Sequence, residues 1–253
     1  MAFVDVGGAR LEVDRIGVGR SGAAPIVMLH EGLGSVAMWK DFPHRVAHAT
    51  ARDVVVYSRA GYGHSSPAAL PRRVTYMHDE ALVVLPALLD TLDIRRPVLF
   101  GHSDGGSIAL IHAGRSGRPV AGLALMAPHV IVEDLSISSI AAAKVAWATT
   151  DLRGRLARYH DDADAAFRGW NDIWLHPDFR AWNIEYCAAA VAVPVLAIQG
   201  EDDEYGTMDQ VERIARLSSD VEIVRLADCR HSPHRDQSEA VLGHLVRFVD
   251  RLP

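Results

Sequence analysis

LFGHSDGGSIAL, residues Leu99–Leu110, sets a serine among glycines at the end of a short apolar run. Gly101-His102-Ser103-Asp104-Gly105 fits the pattern G-x-S-x-G. The pattern carries meaning only between a strand and a helix, where a sharp, strained turn lifts the serine hydroxyl clear of the sheet. Val98–Gly101 is predicted as a buried strand and Gly105–Ala113 as the helix behind it, so the context is the required one. Glycine suits such a turn because strand and helix approach closely where no Cβ intervenes. The plainer alternative makes Ser103 a small residue that lets the chain turn.

The chain outward from this stretch alternates between two patterns. Phe3–Val6 and Leu11–Ile16, separated by Gly7-Gly8, form a predicted hairpin. Ile26–His30, Val54–Tyr57, Val120–Met126, Val195–Gly200 and Val221–Leu226 are short, near-continuous apolar runs, as expected of strands buried on both faces. Helical spacing falls between them, at Val36–Ala49, Tyr76–Leu92 (with Pro86 expected to kink it) and Ala240–Val249. Strands alternating with helices predict an α/β fold with a doubly wound, mostly parallel sheet and right-handed crossovers. The alternation fails once. From His129 to Val193 the chain reads as helical and polar-aromatic, with Trp147, Trp170, Trp174 and Trp182. Residues 1–128 and 194–253 are therefore expected to form the core, with 129–193 a helical lid inserted after the sixth strand.

Composition narrows the function. The chain has 253 residues, 49% hydrophobic and 23% charged, with a net charge of −6. Lysine occurs only at Lys40 and Lys144, and no basic cluster offers a nucleic-acid footprint. The two cysteines match neither a disulfide framework nor a zinc spacing, and no H-E-x-x-H or Cys/His set appears, so neither metal nor organic cofactor is expected. No apolar run reaches the roughly 18–20 residues of a membrane helix, and the N-terminus lacks the basic head of a signal peptide. A cytoplasmic protein with a small-molecule substrate is the expectation, and a homo-oligomer is left open.

In a sheet of this kind ligands bind outside the carboxyl ends of the strands. A serine nucleophile needs a base there, and the base needs an orienting acid. Gly200-Glu201-Asp202-Asp203-Glu204 follows one strand and offers four carboxylates, although such a run is commonly a solvated turn. His231 and His234 both follow the last strand and compete for the base.

Several blocks together resemble the α/β-hydrolase superfamily along nearly the whole chain. HEGLGSVAMW (30–39) is similar to the family's H-G-x-x-G…W oxyanion loop, and YSRAGYGHSSP (57–67) to its D-x-R-G-x-G-x-S-x-x-P turn. GHSDGG resembles its nucleophile elbow, while GEDDEYGT (200–207) and DCRHSPHRDQSEAV (228–241) resemble its acid and histidine blocks. The resemblance implies an eight-stranded-type sheet, with Ser103 as nucleophile, Asp203 as acid, His231 as base, and the N–H groups of Gly32 and Asp104 as the oxyanion hole. Leu33 is the competing donor to Gly32. It further implies hydrolysis of an ester, thioester or lactone through an acyl-enzyme. C–C cleavage of a diketone, a low-turnover ligand-binding or signalling role, and cofactor-independent oxygenation are the alternatives within it.

Three positions depart from the family pattern: Glu31 and Arg230 stand where glycines are usual, and Ser58 replaces an acid. Glu31 and Asp104 thus place two carboxylates near the oxyanion loop. Either both point away, Asp104 being well placed at a helix N-terminus, or they orient a polar group of the substrate. Glu31, Leu33, His129, Trp147, Trp170 and Trp174 are the candidate pocket residues.

Overall fold

The structure, a computed structural model, describes residues 2–18 and 22–252. Eight strands form one sheet: β1 (Ala2–Val6), β2 (Ala9–Ile16), β3 (Ile26–Leu29), β4 (Val54–Tyr57), β5 (Val98–His102), β6 (Gly122–Met126), β7 (Val195–Gly200) and β8 (Val221–Leu226). Their order across it is β1-β2-β4-β3-β5-β6-β7-β8. The β1–β2 and β2–β4 pairs are antiparallel, and every pair from β4 to β8 is parallel.

Alternation along the central strands divides the core into two layers. On β5, Leu99 faces one apolar layer while Val98 and Phe100 face the other. Both faces are covered by helices, which is why the strands read as continuous apolar runs. Helix α1 (Phe42–Thr50) packs on one face. The segment α2 (Tyr76–Asp79), a π turn over Glu80–Val84 and α3 (Leu85–Thr91) pack on the other, together with α4 (Asp104–Arg115). Between β6 and β7 lie α5 (Asp134–Thr149), α6 (Leu152–Leu156), α7 (Ala163–Trp174), a 3-10 turn Pro177–Ala181 and α8 (Glu185–Ala188). Then α9 (Asp209–Leu217) follows β7, and α10 (Pro233–Asp236) and α11 (Ser238–Val249) follow β8. None of the described helices is long and apolar enough to cross a membrane.

Three sequence expectations are corrected in detail. Val36–Ala49 is not one helix: a 3-10 turn, Ala37–Trp39, ends at Lys40 with φ 55°, and α1 starts at Phe42. Pro43 explains the break, since its ring nitrogen cannot donate and belongs in a first helical turn. At Pro86, where a kink is expected, the helix is interrupted just upstream by the π turn, which accommodates a residue with no N–H to give. The sixth strand starts at Gly122, two residues later than its apolar run suggests.

Register places the loops that matter at one edge. Leu29 pairs with Gly101, His102 with Met126, and Gly200 with Leu226, so β3, β5, β7 and β8 end close together.

Candidate active site

Ser103 sits on the turn between β5 and α4 with φ 53° and ψ −119°. A non-glycine residue at positive φ is strained, and tertiary contacts must hold it there. Two glycines allow the turn: a Cβ on Gly101 would collide with the Gly105 carbonyl, and one on Gly105 with the Leu29 carbonyl. The Ser103 N–H is tied to the Met126 carbonyl at 2.9 Å, and the Ser107 N–H returns to the Ser103 carbonyl at 3.0 Å. The hydroxyl is thereby held out from the sheet edge and lines a cavity.

His231, beyond β8, brings Nε2 to 3.0 Å from Ser103 Oγ. Its Nδ1 lies 2.9 Å from each carboxylate oxygen of Asp203. Within the acidic run Asp203 is the buried member; Glu201 and Asp202 are exposed, and the half-buried Glu204 accepts from the His231 N–H at 3.2 Å. The Asp203 carboxylate also accepts from Gln199 Nε2 at 2.7 Å and from the Tyr205 N–H at 2.7 Å. Burial on its own would raise the Asp203 pKa, but the His231 charge and hydrogen bond, with the Tyr205 N–H, outweigh it and hold the group below its ordinary value. For His231 burial pulls the pKa down, and the Asp203 charge and hydrogen bond more than reverse it, leaving it above an ordinary histidine. His234 does not compete: it is buried between Trp39 and Phe42, with ring centroids 4.9 and 5.4 Å away, and burial drives its pKa down.

Across the cavity the loop after β3 carries Glu31, Gly32 and Leu33, all lining it. Arg59 fixes this loop from beneath, donating to the His30 carbonyl and the Glu31 carbonyl at 3.0 Å each. Asp104 opens α4 directly after Ser103, so its N–H has no acceptor within the helix and stands at the positive helix end. Its carboxylate turns away from the cavity. The Tyr76 hydroxyl donates to Oδ2 at 2.8 Å, the Arg59 guanidinium lies 3.7 Å from the same oxygen, and Oδ1 is sealed without a partner. Trp174 Nε1–H donates to Tyr76 Oη at 3.0 Å, so α7 is tied through Tyr76 to Asp104, the residue after Ser103. Of the two sequence alternatives, Asp104 follows the first and Glu31 keeps contact with the cavity.

The cavity encloses about 200 Å³. Trp170, Trp174, Leu33 and His129 line it as expected from the sequence. Trp147 does not: it stands two turns further along α5 than Ile140, and its ring stacks flat on Phe167, centroids 4.1 Å apart. Met38, Ile140, Leu156 and Tyr205 line it as well, and sequence reasoning missed them. His129 is buried beside Trp174 and His231, and burial first, then the His231 charge, lower its pKa to about 3. It is a neutral ring at ordinary pH, with Nδ1 sealed and unpartnered.

A family model described as the alpha/beta hydrolase family matches residues 26–243. The chain belongs to that family. This hydrolase is 31% identical over 208 residues to a Stutzerimonas stutzeri protein carrying the name carbamate hydrolase RutD, covering 79% of the chain and 68% of that protein. It is 36% identical over 110 residues to the dihydrolipoyllysine-residue acetyltransferase component of the acetoin cleaving system of Pseudomonas putida, covering 44% of the chain but only 28% of that longer protein. Among solved structures, the enol-lactonase of Burkholderia xenovorans LB400 superposes with a TM-score of 0.77 at 23% identity, covering 99% of the hydrolase and 100% of the lactonase.

Arg59 and Tyr76 carry no obvious sequence signal for a place in the site. The hydrolase brings Tyr76 and Asp104 together across 28 residues of sequence, a pairing no local periodicity reveals. For Arg59 the turn Tyr57–Pro67 was a recognisable block, but its contact with the oxyanion loop was not.

Proposed function

We propose that the hydrolase cleaves a small ester, thioester or lactone by acyl transfer through Ser103. His231 Nε2 takes the Ser103 proton as Oγ attacks the substrate carbonyl carbon. Asp203 holds the ring so that Nδ1–H points at the carboxylate, and it stabilises the imidazolium that forms. The N–H groups of Gly32 and Asp104 receive the oxyanion, where pre-set donors act without reorganising. His231 then returns the proton to the leaving alcohol or thiol. Water, deprotonated by the same nitrogen, releases the acid from the acyl-enzyme. The helices within residues 129–193 act as the lid that shapes the substrate pocket.

The observation that carries this reading is the unbroken line from Asp203 through His231 to Ser103, at 2.9 and 3.0 Å, ending on a strained serine that faces a cavity. The two cysteines, buried and free of disulfides, support the cytoplasmic setting. The test is turnover of a panel of aryl esters, thioesters and lactones by wild type and Ser103→Ala. Wild type is expected to turn over at least one class, with kcat on the order of 10⁴–10⁶ lower in the variant. A Ser103→Ala protein that keeps its activity would overturn the mechanism.

A further inference from the structure

The proposed chemistry leaves one charged group on the cavity wall unused. Glu31 lines the cavity, and among the described residues no other carboxylate, lysine or arginine does. Its side chain is 18% exposed, so it is neither sealed nor free in solvent. The carboxylate folds back over its own loop: a Cβ on Gly34 would collide with Oε2. Oε2 lies 3.5 Å from His102 Nδ1, while the other ring nitrogen of His102 donates to the His231 carbonyl at 2.6 Å. The Glu31 carboxylate therefore sits beside the residue that precedes the nucleophile, next to a His102 Nδ1 that is buried without a hydrogen-bond partner.

Its charge state follows from its neighbours. Burial would raise its pKa, but the neighbouring His102 ring outweighs burial and keeps it well below the usual carboxylate value. Apart from Ser103, His129 and His231, the rest of the wall is apolar or aromatic. Trp170 packs directly against Gly32, where a Cβ would meet its indole. Tyr205 lies 6.4 Å from Trp170 and 4.8 Å from His231, ring to ring. A carboxylate at one side of an aromatic-walled cavity attracts a cation twice over, by its own charge and through the ring faces. The low dielectric of such a cavity strengthens both, and it repels an anion by the same factor.

We propose that Glu31 makes this pocket select substrates with an ammonium group near the scissile carbonyl and turn away those with a carboxylate there. The selection rests on the acyl-transfer reading, since it concerns what is held beside Ser103. It also accounts for a carboxylate at a loop position where glycine is usual in the family.

Three alkyl fluorophosphonates of matched size, their chains ending in trimethylammonium, tert-butyl and carboxylate, test it, with labelling rates read by intact mass. Wild type is expected to react about tenfold faster with the ammonium probe than with its tert-butyl isostere, and slowest with the carboxylate. That preference is expected to shrink as ionic strength rises. In Glu31→Gln the ammonium-to-tert-butyl ratio is expected to fall close to one. A wild-type ratio at or below one overturns the proposal whatever the variant does, as does a Glu31→Gln ratio equal to that of wild type. Labelling at equal rates by all three probes removes Glu31's role but leaves the nucleophile standing. Labelling by none removes the nucleophile and the selection with it.

Discussion

The strand-end edge and the helices between β6 and β7 meet at the same cavity, yet they are built on different rules. At the edge, each functional group stands at the end of a strand whose register fixes it: Ser103 after β5, Asp203 after β7, His231 after β8. In the helical insertion, Trp170 and Trp174 reach the cavity from α7, while Trp147 on α5 spends its ring on Phe167. The first region has one solution for its chemistry. The second offers a wall that other side chains of similar bulk could form. Substitutions at the edge should therefore act on kcat, and substitutions in the insertion on KM.

The largest expected effect after loss of the nucleophile is at Asp203. Asp203→Asn keeps the shape but removes the charge and lets the imidazole adopt the wrong tautomer, lowering kcat by about 10³–10⁴ with KM little changed. A comparable rise in KM instead would erase the distinction between the two regions. The pH profile gives a second readout. His231 must be neutral to accept the serine proton, so kcat/KM falls as pH drops through its pKa. Because Asp203 holds that pKa above the ordinary histidine value, the acid limb lies higher than for a free imidazole. In Asp203→Asn the residual activity should extend to lower pH.

Asp104 tests the edge from its buried side. Asp104→Ala leaves the buried Arg59 without its carboxylate and the Tyr76 hydroxyl without its acceptor. A loss of about 3 kcal/mol or more in urea-unfolding stability is expected, with Asp104→Asn milder because it still accepts from Tyr76. Equal stability of Asp104→Ala and wild type would show that the Arg59–Asp104–Tyr76 cluster holds nothing. The smallest effects fall in the insertion. Trp170→Phe should raise KM several-fold, a change of about 1 kcal/mol, by opening the wall beside Gly32. Trp147→Phe should leave KM within about twofold, since stacking on Phe167 survives. A larger KM effect at Trp147 than at Trp170 would reverse the assignment of pocket and packing faces.

The same contrast sets how much was legible in the sequence. IVMLH, VVVY and VLFG are read as buried strands because short, near-continuous apolar runs have no other way to be covered on both faces. The serine turn is legible because its glycines are forced by the close approach of β5 and α4. Asp203 was separable from Asp202 only through the family's spacing, since both stand in one polar run. The pocket was less legible. In α5 only Ser136 and Ile140 are buried, and a helix so rich in alanine gives no stripe that tells an inner face from an outer one. Trp147, two turns beyond Ile140, has the bulk of a pocket residue without its position. The contacts of Asp104 and Glu31 join loops far apart in the chain, and helical or strand periodicity carries no information about them.

The central claim is that Ser103 becomes covalently loaded with the help of His231. Tandem mass spectrometry of the protein after reaction with a small neutral fluorophosphonate tests it most directly. One adduct per chain is predicted, mapped to Ser103, formed with loss of esterase activity and slowed by orders of magnitude in His231→Ala. An adduct on another residue, or full activity in a protein whose Ser103 is labelled, would contradict it.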